Sequence, residues 1–194
     1  RIEGQDLQHL NFGTSGAKSL TLSFWVRSSL TGTYSVLFYL ADDVRGCTHT
    51  YTINSADTWE YKTITIDGDT TGVIDNDNGL GLDVYFTLSS GSNLQGTGST
   101  SFNAYTTTDF ADSNQVDFAA QTGNYYITGV QLEVGEQATP FEHRSYGQEL
   151  ALCQRYFETI RFIPGTVYAA VSNQFDSGGQ VVQAYKVTKR TTPT

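Results

Sequence analysis

Methionine is absent from the 194 residues, cysteine occurs twice, proline three times, and charged residues make up only 16%. Each shortage excludes something. Two cysteines cannot staple a disulfide scaffold, and Cys47 and Cys153 lack the C-x-x-C spacing of a metal site, so two free thiols are expected rather than a bridge. No stretch approaches the roughly 18 consecutive apolar residues of a membrane-spanning helix. No basic segment followed by an apolar one opens the chain, so no membrane insertion is expected. Lysine and arginine number 11 against 20 acidic residues, a net charge of -9, and no basic run interleaves with aromatics. Nucleic acid, which is bound by Lys and Arg displacing phosphate counterions, is therefore not an expected partner. The chain starts at Arg1 without methionine and stops at Thr194, and both ends are expected to be cut from a longer polypeptide.

What is abundant is Thr, Ser and Gly, with 12 Tyr and 11 Phe, the balance of a β-rich fold with polar outer faces. A chain of this length can bury about 70% of the surface its unfolded form exposes, so a full core is available. Between Lys18 and Ser28, Leu20, Leu22, Phe24 and Val26 alternate with Thr21, Ser23, Trp25 and Arg27, the period of two that specifies a strand with one buried face. Tyr34 to Leu40 repeats the pattern after Leu30-Thr31-Gly32-Thr33, and the intervening glycine predicts a hairpin that pairs the two strands antiparallel. Further strands are expected at Thr48–Asn54, Glu60–Ile66, Leu80–Ser89, Asn114–Ala119 and Tyr125–Val134, divided by Gly, Asp, Asn and Ser clusters. Short strands punctuated in this way predict an all-β, antiparallel β-sandwich.

The interval Ser89 to Thr108, low in charge and without apolar periodicity, reads as a wandering surface connection. At Ser145-Tyr146-Gly147-Gln148 the spacing of a capping box predicts a short helix over 145–155. Beyond it, Tyr156–Ile163, Thr166–Ser172 and Gln180–Val187 again read as strands, the truncated start of a second β domain over 156–194. The first domain is expected to span 1–144.

Placing Leu20, Leu22, Phe24 and Val26 inward puts Trp25 and Arg27 on the opposite face. By the same rule Leu82, Val84, Phe86 and Leu88 point inward and leave Asp83 and Tyr85 outside, with Tyr39 as a further outward aromatic. An aromatic floor flanked by Arg and Asp suits a sugar ring: CH groups pack on the rings while hydroxyls meet the charged groups. Trp25, Arg27, Tyr39, Asp83 and Tyr85 are therefore the candidate ligand-binding residues, expected on one concave face. The alternative is that the long connection, a neighbouring subunit or the remainder of the parent protein covers these aromatics. Trp59 reads as an edge-of-core residue. Asp67-Gly68-Asp69 and Asp75-Asn76-Asp77-Asn78-Gly79 fail the EF-hand template and read as solvated turns. His9, His49 and His143 sit in no nucleophile or metal motif, so no catalytic residue, metal ligand or cofactor is assigned. His49 reads as a satisfied surface or core histidine.

The block Tyr126-Ile127-Thr128-Gly129-Val130-Gln131-Leu132-Glu133-Val134-Gly135, continuing through Ala138-Thr139-Pro140-Phe141-Glu142 to Leu152-Cys153-Gln154-Arg155-Tyr156-Phe157, resembles one that recurs in tail-fibre and appendage proteins of tailed phages. Glu3-Gly4-Gln5, the Ser19–Ser28 segment and Asp57-Thr58-Trp59-Glu60 are similar too, so the resemblance spans roughly Arg1 to Phe157. It implies a jelly-roll module like a carbohydrate-binding module, non-catalytic, within a virion protein assembled in the host cytoplasm. Its implied partners are other virion subunits, a host-surface glycan and further copies of itself in a homotrimer. A purely structural decoration or adaptor, or an accessory domain of a polysaccharide depolymerase, are the competing expectations. Within the block, Gly129 is expected to permit a β-bulge and Pro140 to turn Phe141 into the core. By analogy with jelly-roll modules, a structural calcium would point to Glu3 and Glu133.

Overall fold

A computed structural model describes residues 1–157 and 186–189, in two compact units, Arg1–Glu142 and a second that begins at His143. The first unit contains ten strands: β1 (Ile2–Glu3), β2 (Leu20–Ser28), β3 (Gly32–Leu40), β4 (Arg45–Ile53), β5 (Glu60–Ile66), β6 (Leu80–Thr87), β7 (Gln95–Gly96), β8 (Asn103–Ala104), β9 (Ala111–Asp112) and β10 (Tyr125–Val134). They form a five-stranded sheet in the order β1-β6-β3-β4-β8, a three-stranded sheet β10-β2-β5, and a small pair β7-β9. Every pairing in the two larger sheets is antiparallel, and their inner faces meet in one core: the unit is an antiparallel β-sandwich.

The alternation in β2 does what period two requires. Leu20, Leu22, Phe24 and Val26 are buried and face Tyr34, Val36, Phe38 and Leu40 of β3 across the core. Each such side chain contributes about 1.5–3 kcal/mol by leaving water. Phe24 locks the layers together, meeting Tyr51 of β4 and Phe86 of β6 edge-on at 5.1 Å each. The expected β2–β3 hairpin does not form. Both strands are central, β2 between β10 and β5, and β3 between β4 and β6, so the link at Ser29–Thr31 crosses from one sheet to the other. Period two fixes which face a strand buries, and is silent on which strand lies beside it.

A second correction concerns the interval after β6. It lies along the outer face of the five-stranded sheet as an ordered layer, with 3-10 turns at Ser92–Leu94 and Thr107–Asp109. The Thr48 hydroxyl donates to the Asp109 carbonyl, Thr48 N to the Ser99 carbonyl at 2.7 Å, Asp112 N to Ser35 Oγ at 2.9 Å, and Ser35 N to Gln115 Oε1 at 3.1 Å. Val116 N donates to the Thr33 carbonyl, and Thr33 with Gln115 makes one isolated parallel bridge where a strand over Asn114–Ala119 was expected. Side-chain and backbone hydrogen bonds hold this irregular cover on beside a few isolated rings, so no apolar period announces it. Beneath it Leu37, on the outer side of β3, is fully buried.

In the second unit the helix α1 (Tyr146–Tyr156) starts at Ser145, whose hydroxyl accepts from Gln148 N while Gln148 Oε1 accepts from Ser145 N at 3.0 Å. The capping box thus forms where its spacing placed it. The strand expected at Thr166–Ser172 lies outside the described residues, as do nearly all of those at Tyr156–Ile163 and Gln180–Val187.

Candidate binding face

The five candidate residues do not share a face. Trp25 and Arg27 stand on the outer side of the three-stranded sheet, whereas Tyr39, Asp83 and Tyr85 stand on the outer side of the five-stranded sheet, with the core between them. Parity placed every one of them outward correctly. It could not reveal that the outward sides belong to opposite layers.

On the five-stranded sheet, little of the expected floor is open. Tyr105 from the covering layer packs edge-on against Tyr39 at 5.1 Å, and Phe110 packs against Tyr85 at 5.9 Å. Asp83 is only 3% exposed and accepts a 2.6 Å hydrogen bond from the Tyr85 hydroxyl, with Arg1 Nε 3.4 Å away. That hydrogen bond, helped by burial, raises the Tyr85 phenol above its ordinary value against the opposing influence of Arg1. Asp83 is thus already occupied as an acceptor by groups of its own chain.

The outer face of the three-stranded sheet is different at its two ends. Toward the β2 start, Thr21 and Ser23 are buried although period two points them outward. Here Gly135–Glu142 folds back over the sheet. Thr21 Oγ1 donates to the Gly135 carbonyl at 2.7 Å, Thr65 Oγ1 to the Glu136 carbonyl at 3.4 Å, and Glu142 N to Gln131 Oε1 at 2.7 Å. Glu133 accepts from Thr139 N at 3.0 Å and from the Thr139 hydroxyl, and these bonds hold its carboxyl below the ordinary value. Toward the β2 end, the face is open. Trp25 is 43% exposed and Tyr61 45%, with ring centres 5.3 Å apart and planes tilted by 47°. Arg27 lies with its guanidinium carbon 5.7 Å from the centre of the Tyr126 ring and NH2 3.5 Å from Asp57 Oδ1.

The bulge in β10 shapes this end. The register steps from Thr128↔Trp25 to Gln131↔Ser23, and Gly129 takes φ +58°, as the sequence suggested. A Cβ on Gly129 would lie 3.4 Å from Trp25 Cδ1 and 3.9 Å from Phe141 Cδ2, ordinary contact distances, so it is the positive φ that asks for glycine here. Phe141 is 45% exposed on this outer side, not the core anchor expected from Pro140. The residues that sequence reasoning missed, Tyr61 and Tyr126, carried a usable signal. Tyr61 alternates with the inward Ile64 and Ile66, and Tyr126 precedes the glycine at which the parity of β10 flips. Trp59, expected at the edge of the core, is also exposed.

The acidic clusters have structural roles. Asp69, which is buried, binds Arg45 through both carboxylate oxygens, at 2.5 Å to Nε and 3.1 Å to NH2, and accepts from Thr71 N at 2.9 Å. Burial opposes its ionisation, but the Arg45 and backbone hydrogen bonds prevail and its carboxyl stays below the ordinary value. Asp77 Oδ1 closes its own turn by accepting from Gly79 N at 2.7 Å. Glu3 accepts from Gln5 Nε2 at 2.6 Å and Glu133 from Thr139 N at 3.0 Å, so each carboxylate is engaged by its own neighbours. Among the described residues no three His, Cys, Asp or Glu side chains are grouped to hold a metal. His49 Nε2 bonds the Thr100 carbonyl at 2.9 Å, and burial lowers its pKa although that bond opposes the shift. Both cysteines are free, Cys47 buried and Cys153 exposed. Comparison of the chain with family models, curated proteins and solved structures finds no match.

Proposed function

We propose that this chain is a non-catalytic recognition module of a virion appendage of the tail-fibre kind, and that the open end of its three-stranded sheet takes a host-surface glycan. The observation that carries the binding half is Trp25 beside Tyr61, half-exposed and tilted, with the Arg27–Asp57 pair at the rim. Aromatic faces accept the CH side of a pyranose, and a guanidinium and a carboxylate beside them donate to and accept from its hydroxyls. The virion half rests on the resemblance of the block from Tyr126 to Phe157. Compared with the initial candidate set, Trp25 and Arg27 remain, Tyr61, Tyr126 and Asp57 join them, and Tyr39, Asp83 and Tyr85 are left out because neighbours engage them.

Glycan-array and whole-cell binding by the 194-residue chain test this reading. Trp25→Ala and Tyr61→Ala, both on exposed side chains, are expected to weaken retention at least about tenfold, or about 1.4 kcal/mol each. Tyr85→Ala should leave it unchanged. Equal binding by wild type and Trp25→Ala would remove the glycan face. The competing adaptor reading draws on the exposed Ile127, Val130 and Val134 of β10, which no sugar site needs.

A further inference from the structure

Pairing across the three-stranded sheet sorts its outward residues into rows. Thr128, Trp25 and Tyr61 form one row, and Gln131, Ser23 and Thr63 form the next toward the β2 start. In the other direction Tyr126 stands against Arg27. The register, carried one residue past Glu60↔Val26, sets Trp59 on the far side of Arg27. The chain is pinned beyond Trp59 as well, because Asp57 N donates to the Ser28 carbonyl at 2.8 Å. Trp59 is 42% exposed and stands outside the core cluster, so parity and exposure both place it on the outer face.

We infer that this face takes two consecutive sugar units of a polysaccharide chain, one on Trp25 and Tyr61 and the next on Trp59 and Tyr126, which makes Trp59 a ligand-binding residue. The two-unit footprint rests on the glycan reading of the same site. Outward residues two apart on a strand stand about 6.8 Å from each other, more than the length of one pyranose ring. One sugar therefore covers the Trp25 row or the Trp59 row, and filling both takes a second.

The sheet ends the footprint on either side. Toward the β2 start, Glu142 N donates to Gln131 Oε1 at 2.7 Å and brings the folded-back segment over the next row. Past Arg27, the Ser29 hydroxyl accepts from Asn124 N at 2.9 Å, and the chain leaves for the other sheet. Two rows thus lie open between these closures.

The chemistry of the face selects a sugar over a protein surface. The residues that the register sets outward on β2, β5 and β10 are Thr, Ser, Gln, Glu, Arg and aromatics, without one Leu, Ile or Val. In the open rows, ring faces are separated by Arg27 and Thr128, with Asp57 Oδ1 3.5 Å from the Arg27 guanidinium. A pyranose presents the matching alternation, with CH groups on its faces and hydroxyls at its rim.

A glycan array printed with length series of uncharged and acidic sugars, from monosaccharide to hexasaccharide, tests this on the whole chain. Signal should begin at the disaccharide or trisaccharide, with the matching monosaccharide weaker by at least about tenfold. Trp59→Ala should weaken the oligosaccharide by about tenfold, and Trp59→Phe by less. Equal binding of monosaccharide and oligosaccharide overturns the two-unit site and leaves the glycan reading standing. So does Trp59→Ala that binds like wild type while Trp25→Ala is weakened. An array without signal, or Trp25→Ala that binds like wild type, removes the glycan reading and the two-unit site with it. Should Trp59→Ala lose its far-ultraviolet spectrum, fluorescence decides. The chain has two tryptophans, so Trp25→Phe keeps a ring there and leaves Trp59 as the sole tryptophan emitter. The strongest oligosaccharide of the array should then shift that emission to the blue, and an unchanged spectrum overturns the site. Retention on host cells that survives periodate but not protease marks a protein partner and also overturns it.

Discussion

Replacing Asp69 by Asn keeps the shape of the side chain and removes its charge. In the native chain the carboxylate is almost fully buried and accepts two hydrogen bonds from Arg45 and one from Thr71 N, while Arg45 also donates to the Phe102 carbonyl at 3.0 Å. Asn offers one acceptor oxygen and turns an NH2 group toward a guanidinium that can only donate. Breaking one partner of a buried pair costs about 3–5 kcal/mol. The Arg45 side chain keeps 17% of its exposure and can draw some hydration, which puts Asp69→Asn at the lower end, about 3 kcal/mol. Urea denaturation at neutral pH should show it as a midpoint lowered by about 1.5 M with slope unchanged, taking a slope of about 2 kcal/mol per M.

The pH dependence has a definite sign. The folded Asp69 carboxyl is held below its unfolded value, so its contribution is complete above the unfolded pKa and fades as pH falls through the folded one. The gap between wild type and Asp69→Asn should therefore be widest near neutrality and narrow below about pH 4. Arg45→Met with Asp69→Leu should recover much of the loss, since an apolar pair of similar volume leaves no buried charge. A loss under about 1 kcal/mol for Asp69→Asn, or a gap that widens toward acid, would refute the assignment of this pair as the clamp between β4 and the β5–β6 connection.

Four further outcomes follow from particular contacts. Tyr51→Phe removes the 2.7 Å hydroxyl contact with Tyr125 inside the aromatic cluster of Tyr34, Tyr51 and Tyr125; it should cost about 1–2 kcal/mol in urea denaturation. Burial lifts the Tyr125 phenol to about 12, even though the Tyr51 bond works against the rise, and spectrophotometric titration should find Tyr125 among the last phenols to ionise. Gly129→Val forces a β-branched residue to φ +58° and crowds Trp25; a loss of about 2 kcal/mol is expected, with Gly129→Asn losing less. Burial pushes the Cys47 thiol far above its ordinary value, so a thiol reagent should modify Cys153 at once and Cys47 only on unfolding.

How legible all this was depended on range. Alternation read β2, β3 and β6 from local residues alone, the turn clusters between segments marked β4, β5 and β10, and two single-residue signals held: Gly129 for the bulge and Ser145 for the helix start. What failed was long-range pairing. The turn at Ser29–Thr31 looks like a hairpin until one knows that β2 and β3 both lie mid-sheet. Nothing near Asp69 announces Arg45, 24 residues earlier. The candidate site failed for the same reason, since outwardness is a property of one strand and coplanarity a property of the whole sandwich. Tyr61 needed only the rule already applied to Trp25.

The layer over the five-stranded sheet is fastened by hydroxyls, amides and carbonyls together with the rings of Tyr105 and Phe110, and its apolar side chains reach only the margin of the core. Its attachment leans more on hydrogen bonds and less on apolar burial than the sandwich does, so the two should open at different free energies. Native-state hydrogen exchange would register this as two tiers. The amides of Asp112 and Val116, which donate into β3, should exchange through local openings, while those inside β2 and β3 wait for the sandwich itself to unfold.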